Sequence, residues 1–291
     1  QNFVDLTTNQ TVGGEKEFSS DVTLANGNSL RWTSDDVRIE ATTASDNMKF
    51  YVGNTEILKL EQANLAATFA GDLTVNGITV GKGGGAIASN TAIGDSALYS
   101  NTTGSYNTAN GMQALYSNTT GIANTANGMQ ALQYNTTGYN NNANGMQALN
   151  RNTTGYGNTA NGNNALYNNT TGSNNTANGF VALQSNTTGS YNTANGYQAL
   201  NSNTTGYNNT ANGWGALRFN TTGWFNTANG RNALFYNTTG YGNTANGNGA
   251  LNSNTTGGYN AANGYYALRL NTTGGYNTAN GRQALYSNTT G

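Results

Sequence analysis

From residue 101 onward, apolar and polar residues fall in a pattern that neither a helix nor an ordinary strand gives. Apolar residues return at three fixed places in every 17: one Ala, as in Ala109, Ala126 and Ala143, and an adjacent pair, as in Ala114-Leu115 and Ala131-Leu132, running to Ala284-Leu285. The unit reads N-T-T-G-x-x-N-T-A-N-G-x-x-A-L-x-x. Its first Asn recurs at 101, 118, 135 and every 17 residues to 288, without insertion or deletion, so full repeats span 101–287. A fixed period of this length predicts one turn of a parallel β-solenoid, whose coils stack at roughly 4.8 Å. Two strands per coil are expected, around "xNTA" and "xxALxx". The glycines at repeat positions 4 and 11, each beside Asn or Thr, are expected to mark corners with positive φ. Each Asn would lie over the same Asn of the next coil and hydrogen-bond along the axis as an amide ladder. One extra residue would put every ladder out of register, which accounts for the constant spacing.

The Ala-Leu pair carries a prediction about assembly. Neighbouring residues of a strand point to opposite faces. Two adjacent apolar residues kept in every coil therefore call for two buried surfaces, and a homotrimer of coils is the simplest source of the second. A monomeric solenoid with Ala on a crowded outer corner is the other arrangement.

Residues 1–80 read differently. "DVTLANG", "NSLRW", "DVRIEAT" and "MKFYVG" alternate partially and predict short strands. Gly53-Asn54 and Asn76-Gly77 each sit between apolar stretches as two-residue hairpin signals. This part reads either as a small antiparallel β domain or as a fibre shaft or connector completed by neighbouring chains. "GKGGG", Gly81–Gly85, reads as a Gly-rich hinge before the solenoid of 86–291.

Composition narrows the function classes. The chain has no Cys, Pro or His, so disulfides and Cys or His metal sites are excluded, along with the commonest general base. No apolar run reaches the roughly 20 residues of a membrane-spanning helix, and no membrane insertion is expected. Charged residues are only 8% of the chain, against a nucleic-acid partner. Residues 1–85 hold 11 acids against 6 basic residues. Residues 86–291 hold one acid, Asp95, against Arg151, Arg218, Arg231, Arg269 and Arg282. Two carboxylates flanking a scissile bond are not to be had from the repeat, so no enzyme, cofactor or metal is expected. The Asn-Thr-Thr triplets fit a glycosylation sequon, yet glycans one coil apart would collide.

"DLTTNQTVGGEKEFSSDVTL" (5–24) and "FAGDLTVNGITV" (69–80) resemble segments of bacteriophage tail-fibre proteins. "SNTAIGDSAL" (89–98) is similar to head repeats of trimeric autotransporter adhesins, and "NTAxGxxALxxNTTG" to repeats of phage tail fibres. The resemblance implies an all-β homotrimeric fibre in a virion tail, joined to other tail proteins at its N-terminal end and recognising a host surface polysaccharide or protein. It also implies a further C-terminal piece, such as a tip or a self-cleaving chaperone, because the chain stops part-way through a coil. A trimeric adhesin on a bacterial cell surface is the alternative. An ice-binding solenoid using its Thr columns is a third.

All the aromatic and Arg side chains of 86–291 occupy six variable places per repeat: the pairs after NTTG, after the second Gly and after Ala-Leu. A constant frame with variable, aromatic-rich places predicts either a binding surface or ring ladders that shield the strands. They are densest at Trp214, Arg218, Phe219, Trp224, Phe225, Arg231, Phe235 and Tyr236, the candidate binding residues.

Overall fold

The computed structural model describes residues 78–291 throughout and, before them, the strands within 29–31, 37–42, 47–52, 55–61, 66–69 and 73–75. The chain divides into two compact units, 1–71 and 72–291. The 5–24 motif and the strand expected at "DVTLANG" lie outside the described residues.

In the first unit, β1 (Ser29–Arg31), β2 (Val37–Thr42), β3 (Asn47–Val52), β4 (Thr55–Glu61) and β5 (Ala66–Phe69) form an antiparallel meander in sequence order. Val52 pairs with Thr55, the pairing that the first hairpin signal called for.

The second unit opens with the other hairpin, β6 (Leu73–Val75) and β7 (Ile78–Gly81), with Val75 opposite Ile78. β7 then pairs antiparallel with β8 (Thr91–Ile93), and this hairpin continues the sheet of the solenoid. From β8 through β9 (Thr108–Asn110) to β19 (Thr278–Asn280) every pairing is parallel and offset by 17 residues: Thr108 faces Thr125, and Ala109 faces Ala126. About eleven coils stack in this way. The division between units therefore falls before β6, ahead of the expected 80/81 boundary. The glycine run is not a loose hinge either: Gly84 N–H donates to the Leu98 carbonyl at 2.9 Å, and a Cβ on Gly83 would stand 2.7 Å from that of Leu98.

Each coil has one strand, not two. It covers repeat positions 8–10, with Ala inward and its two neighbours outward. The Ala-Leu segment is a turn. Leu at position 15 has φ near +50° in every coil, for example +51° at Leu115 and +51° at Leu183. Strict alternation of side chains belongs to extended backbone. With Leu in the left-handed region, Ala and Leu both point inward, and both are fully buried within one chain from Ala114-Leu115 to Ala267-Leu268. The pair thus gives no reason for a second chain. Left-handed backbone costs a non-glycine residue roughly 1–2 kcal/mol. Full burial of a Leu side chain returns about 1.5–3 kcal/mol, so Leu rather than Gly holds the place. The neighbouring coil completes that burial: Leu285, in the last coil, is 50% exposed, whereas Leu268 is sealed.

The other half of the interior is polar. Asn at positions 1 and 7 is buried throughout the stack, as at Asn135, Asn141, Asn152 and Asn158. Asn135 Nδ2 donates to Asn118 Oδ1 of the preceding coil (2.8 Å) and to its own coil's Gly138 carbonyl (3.0 Å). Asn124 Nδ2 donates to that same Gly138 carbonyl (2.8 Å), and Asn141 N–H donates to Asn124 Oδ1 (3.0 Å). Buried amides left unpaired would each cost about 1–3 kcal/mol; here each is paired along the axis. The expected ladder is thus present, and it is part of the core rather than of the surface. A third ladder, at position 10, runs outside from Asn127 to Asn144 and onward.

The two glycines differ. The glycine at position 11 does have positive φ, +141° at Gly179, and a Cβ there would stand 2.7 Å from the carbonyl carbon of Gly196. Position 4 is not in the left-handed region. Glycine is required there because a Cβ on Gly138 would run into the Gly155 carbonyl and the Asn135 amide.

Candidate functional site

Most frame residues point inward or bond to the next coil, and the variable places supply most of the outer surface, although Gln133, Asn150, Ser173 and Val181 among them are buried. Ring side chains repeated in successive coils must lie one above another at the coil spacing, and they stack. Phe180, Tyr197 and Trp214, all at position 12, form a column with centroids 5.5 and 6.0 Å apart. Arg231 extends it, its guanidinium carbon 5.2 Å from the Trp214 ring.

The eight candidate residues separate into two groups. Six of them, Trp214, Arg218, Phe219, Arg231, Phe235 and Tyr236, come from positions 12, 16 and 17 and meet. Trp214 stacks with Phe235 at 6.4 Å and 8°, Phe219 stacks with Tyr236 at 5.6 Å and 6°, and Phe219 meets Phe235 edge-on at 5.1 Å. The Arg218 guanidinium sits 5.0 Å from the Phe219 ring and 5.7 Å from Phe235. Trp224 and Phe225, at positions 5 and 6, belong elsewhere. They pack with Tyr207 and Tyr241, Trp224 lying 5.9 Å from the first and 4.7 Å from the second. The strand at positions 8–10 and the corner made by the glycine at position 11 come between the two groups in each coil. Between Phe219 and Trp224 lies the bend of positions 1–4, so nearness in sequence does not bring these two side chains together.

Exposure ranks the surface. Phe225 (54%), Tyr236 (49%) and Trp214 (40%) face solvent; Phe219, Trp224 and Phe235 are half-buried between their stacking partners. The rings thus both shield the coils and present open faces.

The larger group borders a recess of about 260 Å³ that the sequence reading missed. Its floor is the coil beginning at Asn237, which carries only Asn248, Gly249 and Asn252 at positions 12, 13 and 16. Trp214, Asn232, Phe235 and Tyr236 border it from the preceding coils, and Tyr266 and Arg269 from the next one. Arg269 lies 4.2 Å over the Tyr266 ring, and one guanidinium N–H donates to the Tyr286 hydroxyl at 2.8 Å. Asn252 Nδ2 donates to the Asn232 carbonyl. Two buried polar atoms in this cluster, Arg218 Nε and Asn232 Oδ1, have no hydrogen-bond partner. The missed signal was a run of small residues in one coil between bulky ones at the same repeat positions in its neighbours.

The Thr columns are differently engaged. Thr at position 2 donates its hydroxyl to the next coil's Thr carbonyl, at 3.0 Å from Thr136 to Thr153, while Thr at position 3 is exposed. Adjacent Thr residues therefore do not form one paired array.

No family model, curated protein or solved structure matches this chain.

Proposed function

We propose that the chain is a structural and adhesive fibre element, a phage tail fibre that recognises a host surface. The observation that carries this is the separation within each coil. One set of residues is kept in every repeat and is consumed in holding the coil; the other varies and presents stacked rings and guanidinium groups outward. A scaffold of this kind offers a long surface whose chemistry changes from coil to coil without disturbing the fold. Flat ring faces beside amides and Arg suit polysaccharide. In this reading three copies form the fibre, as the sequence resemblance implies, and light scattering tests that: a mass near the 30.3 kDa of one chain removes the trimer.

The adhesive role is tested by attachment of the purified chain to bacterial cells and to their isolated surface polysaccharides, with Trp214→Ala and Trp224→Ala made separately. Buried or partly buried aromatics at a contact centre contribute on the order of 2 kcal/mol, or roughly thirty-fold in affinity. Loss with only one of the two variants tells which ring group makes contact. Unchanged attachment in both, with circular dichroism showing intact fold, assigns the rings to coil packing. Labelling of virions against cell envelopes separates the tail fibre from a bacterial surface adhesin.

A further inference from the structure

Three of the five Arg side chains of residues 86–291, Arg218, Arg231 and Arg269, lie in or beside the ring cluster that borders this recess. Asp95, the one carboxylate of that region, is exposed and lies in the first, incomplete coil. The surface here therefore draws anions and has no acid side chain to satisfy them. The shape is as informative as the charge. Rings occupy positions 12, 13 or 16 in the coils on either side, and the intervening coil supplies none. Two coil steps at about 4.8 Å separate those neighbours; the Tyr266 ring turns over Gly249 into part of that gap, and the recess is the space that remains between it and the Phe235 side. At about 260 Å³ the recess falls just below the roughly 300 Å³ at which pockets for drug-sized ligands begin, so it suits a single ring better than a larger ligand. Of the five N–H donors of a guanidinium, Arg269 directs one at Tyr286, and the group matches the geometry of a carboxylate. The Asn248 and Asn252 amides on the floor suit hydroxyl groups.

We infer that this recess is a subsite for one uronic-acid unit of an acidic polysaccharide, its ring between Phe235 and Tyr266 and its carboxylate at Arg269. The inference rests on the adhesive reading above and narrows it to a ligand class.

The test is calorimetric titration of the full chain with oligogalacturonate, oligoglucuronate and oligomannuronate, and with a neutral oligoglucoside of equal length. Two variants keep to residues that other coils already carry at position 16: Arg269→Gln, as at Gln133, and Asn252→Tyr, as at Tyr167. Circular dichroism confirms that each folds. At least one acidic oligosaccharide should bind tenfold or more tightly than the neutral one. Arg269→Gln should erase that preference, and Asn252→Tyr, which fills the recess, should abolish binding. Failure of all three acidic probes to bind overturns the inference, as does binding that neither variant weakens. Cell attachment measured on the same proteins separates the two levels. If Trp214→Ala lowers attachment while Asn252→Tyr does not, the adhesive reading stands and this subsite falls. If the native chain attaches to nothing, the adhesive reading itself fails.

Discussion

The two halves of each coil interior are held by different physics. Positions 1, 4 and 7 form an amide half in which Asn side chains bond directionally to the coil before, the coil after and the Gly carbonyl between them. Positions 9, 14 and 15 form a methyl half in which Ala and Leu simply exclude water. The amide half enforces register, because a hydrogen bond is lost within an ångström of displacement. The methyl half supplies non-directional burial and is indifferent to small shifts. The comparison explains why the chain keeps 17 residues without exception while tolerating so much at the six outer places.

That contrast can be broken most directly by length. Deleting Gln198 should lower the melting temperature more than any substitution below, because it moves every later side chain of its coil off its partner. Gln198→Asn, already present at Asn164 and Asn232, should change stability by less than about 0.5 kcal/mol. Equal melting of the two would show that ladder register does not hold the stack.

Next in size is a charge in the amide half. Asn169 donates to Asn152 Oδ1 and to the Gly172 carbonyl and accepts from Asn186, all at 2.8 Å. Asn169→Asp removes both donors and buries a carboxylate without a cation, at a cost of about 3–5 kcal/mol at neutral pH. Burial raises the folded pKa of that carboxyl above its unfolded value near about 3.9. The charge penalty is therefore full above the folded pKa, shrinks as pH falls through it and is absent below about 4. Melting curves across pH should show the variant approaching the native chain only on the acid side.

In the methyl half, Leu183→Ala should cost about 3 kcal/mol with no pH dependence, through lost burial and the cavity left behind. A larger loss there than for Asn169→Asp at neutral pH would reverse the ranking of the two halves. Smaller again is the glycine comparison. Gly179→Ala meets both a φ of +141° and the Gly196 backbone, and should cost about 2 kcal/mol. Gly189→Ala has no positive φ to strain, but its Cβ would press into the Gly206 carbonyl and the Asn186 amide, so a comparable cost is expected in the same denaturation series. On the outer face Tyr197→Ser removes a ring from between Phe180 and Trp214 and should cost about 1 kcal/mol or less, measured as a shift in denaturant midpoint.

Much of this architecture was legible in the residues. The 17-residue spacing of Asn101, Asn118 and their successors pointed to the solenoid and its parallel register, and the Asn-Gly dipeptide at 76–77 to the hairpin that opens the sheet. The candidate site was legible only in part. Trp214 and Trp224 stood out by composition, but whether they share a surface depends on which side of the strand each falls. The recess is marked by small residues, Asn248, Gly249 and Asn252, which a search for chemically distinctive side chains passes over.

The repeat alone determined that the chain would coil, where each coil would begin, and which side chains would lie over their own counterparts, since equal spacing on a stacked backbone leaves no other register. It did not determine how each coil bends. Reading Ala-Leu as a strand implied two buried faces and a need for other chains; the folded coil places Leu in left-handed backbone, and one interior takes both. That choice is made by packing. The strain of each Leu is outweighed only when the neighbouring coil seals the side chain, as Leu268 and Leu285 show by their burial. Such an energy belongs to the stack, and no single repeat contains it.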